Sequence, residues 1–266
     1  MLEGKKVFFD ESYASDSVTS PLYQSTLSKW AGESGGSSEI AHYIKFAIPI
    51  GNHYGFKAIK APLWNLYKIA YFGRTYFTDS LLYETCYPEP VLEIKDSSVF
   101  QFDFVGIDGK GKGIYNYDLL LPASRSNEQN IMKIMQEDLR NAFGYRTVLE
   151  IRKMPVWKLV SKSGAIRKLR SKSKDRIYKD SRLRSGGIVA KRLEFRVLVS
   201  EMIAHRMDYS IPLFDETGID SNMLVDIDID ADLTTPSDNL RMALKKYNLD
   251  MIKGEREMKV VVVRDL

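Results

Sequence analysis

Two stretches of this chain carry the same succession of hydrophobic patterns, and each predicts a strand, a helix and then further strands. In the first stretch, Phe56 to Ile59 alternate as a strand. Pro62 and a run of apolar residues at helical spacing then predict a helix to about Phe72. Ser126 can cap a second helix, over 127–143, that Gly144 ends. The remaining strands are predicted at 91–94, 115–121, 145–151 and 156–160, with Pro155 between the last two.

The second stretch begins near Leu193, and a helical stripe follows from 195 to 207. Short strands are predicted at 209–213 and 223–229, and Pro236 opens a helix to Tyr247. Residues 249–252 and 259–263 are predicted to form a closing β-hairpin that turns near Gly254. Because the element order repeats, we expect an internal duplication in which helix 63–72 matches 195–207 and helix 127–143 matches 236–247.

These patterns predict an α+β fold built from two tandem, structurally repeated modules, in β-α-β / β-α-β-β order. The helices are expected to pack on small, mostly antiparallel sheets. The predicted segments are a linker or arm over 1–45, a first module over 46–161, a basic inter-module segment over 162–188 and a second module over 189–266. One short helix is predicted in the arm, over 21–30.

Composition is that of a globular protein, with 44% hydrophobic and 28% charged residues. The apolar runs are too short to span a bilayer, and residues 1–6 lack the apolar region of a signal peptide, so the chain as given is expected to be soluble. The net charge of +4 is uneven: residues 162–192 hold twelve Lys or Arg against two Asp, an excess of +10, which leaves −6 for the rest. The basic character therefore belongs to one segment.

Four segments resemble motifs of one known family. Residues 56–66 resemble its F-x-A-x-N-x-P-L-x-x-L opening, although Lys60 stands where asparagine is usual. Residues 139–145 and 152–160 resemble its helix end and its E-x-P-V-Y-x-L hairpin. Residues 211–219 resemble its R-P-V-V-D-x-T-G-L segment, and 223–229 stand where the family has Y-D-F-x-L. By these motifs the chain, from about Phe46 to Leu266, is similar to domain-of-unknown-function family 3738, the soil-associated proteins.

The resemblance implies an exported, periplasmic or cell-envelope-associated module with no known enzymatic activity. Family members are often attached to thioredoxin-like redox proteins or to membrane sensor metallopeptidases, so the resemblance implies an envelope protein as the partner. The half-modules are also distantly similar to the short amino-terminal domains of secretins and TonB-dependent receptors, which bind partner proteins.

Motifs for catalysis, cofactors and metals are missing from the sequence. Cys86, the single cysteine, has no histidine near it in sequence, and His42, His53 and His205 are not at zinc-ligand spacing. Gly109, Gly111 and Gly113 precede a predicted strand, whereas a phosphate-binding loop precedes a helix. We therefore expect no enzyme activity, no cofactor and no metal.

Four aspartates alternate with apolar residues from Asp226 to Asp232. They could form a calcium site, but an EF-hand loop beginning at Asp226 would have Ala231 at its glycine position and Ser237 at its glutamate position. Period-two alternation favours the solvent face of a half-buried strand. We expect Asp226, Asp228 and Asp230 to be exposed and free of metal.

Two groups of residues are candidates for a binding surface. Trp64, Tyr67 and Tyr71 share a helical face that can line a groove or pack in an aromatic core. The basic run includes Arg167, Lys168, Arg170 and Lys172. It can be a mobile solvated linker or can contact an anionic surface such as lipid headgroups, whereas nucleic acid is disfavoured because only Tyr178 is there to stack.

The sequence therefore predicts a non-catalytic exported binding or protein-interaction module of unknown ligand. The alternative is an accessory domain of a thioredoxin-like redox protein or membrane sensor, in which a partner does the chemistry.

Overall fold

A computed structural model describes residues 23–30, 45–50, 53–73, 76–78, 84–102, 113–174, 177–182, 186–204, 211–233 and 236–266. In these residues the chain is an α+β protein with helices packed on small sheets, as the sequence predicts. The described helices are α1 (Leu63–Phe72), α2 (Glu128–Phe143), α3 (Ala165–Leu169), α4 (Phe195–Ala204) and α5 (Asp238–Lys245).

The described strands are mostly antiparallel and form four sheets, in the orders β1-β7-β3-β2, β12-β10-β9, β11-β8-β13-β6 and β4-β5. Their bounds are β1 (Gln24–Lys29), β2 (Lys45–Ile50), β3 (His53–Pro62), β4 (Tyr76–Thr78), β5 (Glu84–Cys86), β6 (Val91–Glu93), β7 (Ile114–Pro122), β8 (Tyr145–Ser161), β9 (Tyr178–Arg182), β10 (Gly187–Glu194), β11 (Leu213–Asp215), β12 (Leu224–Ile229) and β13 (Leu249–Asp265).

Contacts divide the chain into two compact units that differ from the predicted segments. The first unit holds Met1–Thr75, Pro90–Leu149 and Val261–Leu266, and the second holds Tyr76–Glu89 and Glu150–Val260. The boundaries differ because the long strands β8 and β13 each contribute residues to both units. The basic segment predicted between the modules lies within the second unit.

In the first unit, α1 and α2 pack on the sheet formed by β3 and β7. Helix α1 is buried from Leu63 to Ala70, whereas α2 buries a single stripe of Ile131, Met135 and Leu139. Asn127 caps α2 by accepting a hydrogen bond from the Asn130 N–H, and Gly144 ends it in a left-handed conformation. Both helices match the predicted ranges.

In the second unit, α4 and α5 pack on the sheet of β10 and β12. The core includes Leu198, Met202, Val225, Ile227 and Leu240, each no more than 3% exposed. Ser237 caps α5 through the Leu240 N–H. The predicted helix over 195–207 is described from Phe195 to Ala204, and the helix predicted over 236–247 is shorter, from Asp238 to Lys245.

Both units contain the order strand, helix, short strand, strand, helix, with matching pairings. The first strand pairs antiparallel with the fourth element in each unit, β3 with β7 and β10 with β12. The short strands pair in parallel, β6 with β13 and β11 with β8. Such shared order is what an internal duplication produces, and the duplication itself remains a prediction.

The same bulge occurs in both antiparallel pairs, just before α1 and α4. The register shifts between Ala58 and Ala61 in β3 and between Ala190 and Leu193 in β10. Each bulge contains one residue with positive φ, Lys60 at 53° and Arg192 at 54°. A positive φ is uncommon for a residue with a side chain, so a bulge of this kind indicates a specific local requirement.

The predicted helix over 21–30 is wrong, because Gln24–Lys29 forms strand β1. This strand pairs antiparallel with β7, from Gln24 opposite Leu120 to Lys29 opposite Tyr115. The Ser25 hydroxyl also donates to the Asp138 carboxylate of α2. Pairing with a distant strand therefore overrides the local helical pattern; residues 1–22 and 31–44 of the predicted arm lie outside the described residues.

The two predicted strand breaks are also wrong, because β8 and β13 are continuous. Pro155 is exposed and lies outside Trp157–Leu159, the stretch of β8 that pairs with β11, so it removes no hydrogen bond on that edge. Gly254 does not turn the chain but makes room for a neighbour: a Cβ there would lie 2.6 Å from Lys158 Cε.

Candidate functional site

Residues 162–174 of the basic segment are folded onto the sheet of the second unit, which corrects the interpretation of this stretch as a mobile solvated linker. Helix α3 buries Ala165 and Leu169 at 2% and 0% exposure. Arg170 then forms an isolated antiparallel bridge with Val225 of β12, and the Ser171 N–H donates to the Leu224 carbonyl at 2.8 Å. Two buried side chains and backbone pairing with β12 therefore fix this part of the segment.

Asp226 holds this segment against the bulge of β10. Its carboxylate accepts the Lys172 N–H and the Arg192 N–H, each at 3.0 Å. Partial burial on its own would raise the pKa of Asp226. Hydrogen bonds from the Ser171 hydroxyl and from the backbone N–H groups of Arg192, Lys172 and Ser173 outweigh burial and lower that pKa below its usual 3.8.

The first unit has a neutral counterpart of this arrangement. There the Asn116 side chain accepts the Lys60 N–H of the matching bulge at 2.9 Å. Asn116 therefore accepts a hydrogen bond from the bulge only. Asp226 accepts one from the bulge and further ones from residues 171–173. The carboxylate of Asp226 thus provides hydrogen-bond acceptors for the basic segment. The first stretch of the sequence has no such segment in the corresponding place.

Two adjoining hollows lie along the fixed segment, and we call them together the basic groove. The first has a volume of about 590 Å³ and is lined by Ile166, Arg170, Ser171, Ser173, Lys174, Arg192, Asp220, Met223 and Leu224. The second has a volume of about 500 Å³ and is lined by Gly164, Ile166, Arg167, Arg170, Ser171 and Lys172. Five cationic side chains and one carboxylate therefore line the groove, whose charge is strongly positive.

Three of the four basic residues predicted for the binding surface line the groove. Arg170 borders both hollows, and Arg167 and Lys172 border the second; all three are exposed. Lys168 has a structural position instead. Its amine donates to the Lys246 carbonyl at 2.9 Å and to the Asn248 side chain at 3.0 Å, which satisfies backbone at the end of α5.

The aromatic part of the predicted surface belongs to the core of the first unit. Trp64 is 8% exposed and Tyr67 is 1% exposed, so neither side chain can form a contact surface. Tyr71 is half-buried, and its hydroxyl donates to the Thr147 carbonyl at 3.4 Å. This placement corrects the interpretation of Trp64 and Tyr67 as a binding surface and agrees with the alternative of an aromatic core, because α1 is buried from Leu63 to Ala70.

The sequence analysis missed Arg192 and Asp226 as parts of one site. The backbone N–H of Arg192, in the bulge of β10, donates to the carboxylate of Asp226, and the two residues are 34 positions apart. Asp226 was predicted to be exposed but is half-buried, since four donors surround it. Asp228 in β12 is exposed, and so are Asp230 and Asp232 beyond the end of the strand. The alternating Ile227 and Ile229 are buried, as the pattern predicts.

Among the residues that the structure describes, no group of three or more His, Cys, Asp or Glu is placed to hold a metal ion. His42, His205, Gly109 and Gly111, which the sequence analysis considered, lie outside those residues. No described helix is long and apolar enough to cross a membrane.

Comparisons with known proteins found no matching family model, no matching curated protein and no matching solved structure. The resemblance to family 3738 therefore stays a prediction from the motifs. The geometry of the groove is the basis on which a function can be argued.

Proposed function

We propose that this protein is a non-catalytic binding module that recognises an anionic partner through the basic groove of its second unit. The observation that carries this proposal is the groove itself, where five cationic side chains line two adjoining hollows on a segment fixed by Asp226. The resemblance to family 3738 places the partner in the cell envelope, and we propose the same location here.

Charge and fixation together favour binding over a solvated linker. Arg170, Lys172 and Lys174 project from a backbone that is paired with β12 or bonded to Asp226, so the cations are held near one another before any partner arrives. Such preorganisation lowers the entropic cost of binding. Like charges held together repel, and an anionic partner removes that repulsion.

The shape and chemistry of the groove favour binding over catalysis. Each hollow falls in the range of about 300–1,000 Å³ that is usual for ligand sites. Among the described residues that line it there is no histidine or cysteine. One carboxylate, Asp220, lines the groove, and the Ser171 hydroxyl donates to a second one, Asp226. Asp226 is held as a carboxylate by its donors, which suits a structural anchor and not a proton carrier.

The proposal is tested by titrating a fluorescein-labelled dodecaglutamate peptide with the protein and following fluorescence anisotropy. Wild type should bind at low salt and lose affinity at high salt, because exposed charges are screened over about 10 Å at 0.1 M and about 3 Å at 1 M ionic strength. The variant Arg170→Ser/Lys174→Ser should bind at least tenfold more weakly.

A matched control removes the same charge elsewhere. Lys133 of α2 and Lys259 of β13 are both exposed and lie outside the groove, so Lys133→Ser/Lys259→Ser should bind nearly as wild type does. Equal weakening in both variants would show that net charge alone attracts the peptide, and the groove would then not be the binding site.

A further inference from the structure

An exposed isoleucine lies at the centre of the basic groove. Ile166 is 46% exposed and borders both hollows, so cationic side chains surround it on either side. The buried face of the same helix is formed by Ala165 and Leu169, so Ile166 is not needed for the packing of α3. A single exposed aliphatic side chain is common on protein surfaces, but this one lies in a groove that cationic side chains line.

Two further exposed apolar residues belong to the β9 side of the same sheet, across β10 from β12. Tyr178 of β9 is 48% exposed and pairs with Lys191, the neighbour of the groove residue Arg192. Ile177 precedes it and is 68% exposed. Of the three exposed apolar residues, Ile166 is the one that lines the groove together with the cations.

Cations around an exposed aliphatic side chain are characteristic of proteins that lie on a membrane surface. Lys and Arg attract anionic headgroups, and aliphatic side chains enter the boundary between headgroups and acyl chains. A nucleic acid would need aromatic rings or a recognition helix in the groove, and an acidic peptide would leave Ile166 without a role.

We propose that the basic groove docks on an anionic phospholipid bilayer, with phosphate headgroups in the two hollows and Ile166 inserted between them. The inference rests on the proposed function, because it specifies the anionic partner of the same groove. Asp226 acts as a positioning residue, since it fixes the segment that presents Arg170, Lys172 and Lys174.

The test is co-sedimentation of the full chain with vesicles of phosphatidylglycerol and phosphatidylcholine, and with vesicles of phosphatidylcholine alone, at low and high salt. Wild type should partition onto the anionic vesicles at low salt and not onto the neutral ones. Arg170→Ser/Lys174→Ser should lower the partition coefficient about 25-fold, at about fivefold for each charge near the surface.

The isoleucine is tested separately. Ile166→Ser should lower the partition coefficient about tenfold, because inserting part of an isoleucine side chain into an apolar medium is worth about 1.4 kcal/mol. Ile151→Ser is the matched control, since Ile151 belongs to the same unit, is 65% exposed and lies outside the groove. It should bind vesicles as wild type does, and Ile166→Ser should still bind dodecaglutamate.

Three outcomes would overturn the lipid inference. They are equal partition of Ile166→Ser and Ile151→Ser, equal partition of wild type and Arg170→Ser/Lys174→Ser, and single-stranded DNA that binds more tightly than the vesicles. If vesicles fail to bind while dodecaglutamate still binds through Arg170 and Lys174, the lipid inference fails and the proposed function stands. If neither probe binds through these residues, both fail.

Discussion

Replacing Asp226 with alanine should destabilise the second unit more than the matching change in the first unit. The carboxylate accepts two backbone N–H groups at 3.0 Å, from Lys172 and Arg192, and is also bonded to Ser171 and Ser173. Hydrogen bonds to a charged group contribute about 1.5–3 kcal/mol each when buried. Because Asp226 is only half-buried and water can replace part of the bonding, we expect a total loss of about 2–3 kcal/mol.

Asn116→Ala is the natural comparison, because Asn116 has the matching position and accepts one N–H, from Lys60. Loss of one neutral hydrogen bond should cost about 1 kcal/mol. Glu257→Ala, at an exposed position of β13, should change stability by less than about 0.5 kcal/mol.

Urea unfolding followed by circular dichroism measures all three variants, and differential scanning calorimetry should show a fall in Tm of about 5–10 °C for Asp226→Ala. Hydrogen exchange should also speed up at the amides of Lys172 and Ser173. A cost for Asp226→Ala no larger than that of Asn116→Ala would refute the conclusion that the carboxylate fixes the basic segment.

The contribution of Asp226 should depend on pH with a definite sign. Its pKa is lowered in the folded protein, so its stabilisation is fully present above the ordinary value of 3.8 and is lost as the pH falls through the lower folded value. The difference in unfolding free energy between wild type and Asp226→Asn should therefore be constant from about pH 5 to pH 8 and should shrink below about pH 4. A difference that does not change down to pH 2 would show that charge plays no part.

Three further predictions test other features of the second unit. Asp250→Ala should cost about 3 kcal/mol in urea unfolding, because Asp250 is 6% exposed and accepts both arms of Arg241 at 3.0 and 3.3 Å; an effect below 1 kcal/mol would mean that water replaces the pair. Gly187→Ala should cost about 2–3 kcal/mol, because its Cβ would lie 2.0 Å from the Ile229 carbonyl oxygen, and a neutral result would mean that β10 moves freely. Calcium should leave Tm unchanged; a rise of several degrees that Asp228→Asn removes would contradict the metal-free assignment.

The helices were the part of the fold that the sequence predicted best. Their signals are local: apolar spacing over Leu63–Phe72, a polar cap before α2, and a left-handed glycine at position 144. The cap of α2 is Asn127, one position after the predicted Ser126. The alternation of β12 was equally clear, since Val225, Ile227 and Ile229 are all buried on one face.

The errors in the fold concern pairing between distant parts of the chain. The sequence predicts a helix at β1 because its partner β7 lies about ninety positions away. The spacing of apolar residues within 21–30 does not indicate that pairing. Gly254 was interpreted as a turn because glycine is a usual turn residue, although here it accommodates the side chain of Lys158.

The basic residues of the candidate site were predictable, but their arrangement was not. Charge density alone selects Arg167, Arg170 and Lys172 from the sequence. Two contacts between distant parts of the chain determine that arrangement. Lys168 binds Asn248, 80 positions away, and the Lys172 N–H binds Asp226, 54 positions away. The sequence does not show which apolar residue of this helix is exposed. In the structure Leu169 is buried and Ile166 is exposed.

The central claim, that an anionic partner binds in the basic groove, is tested most directly by hydrogen–deuterium exchange with and without excess dodecaglutamate. The account predicts slower exchange at the backbone amides of residues 164–174 and of Arg192, with no change in α1 or α2 of the first unit. Slower exchange confined to the first unit, or unchanged exchange over 164–174 at saturating peptide, would contradict it.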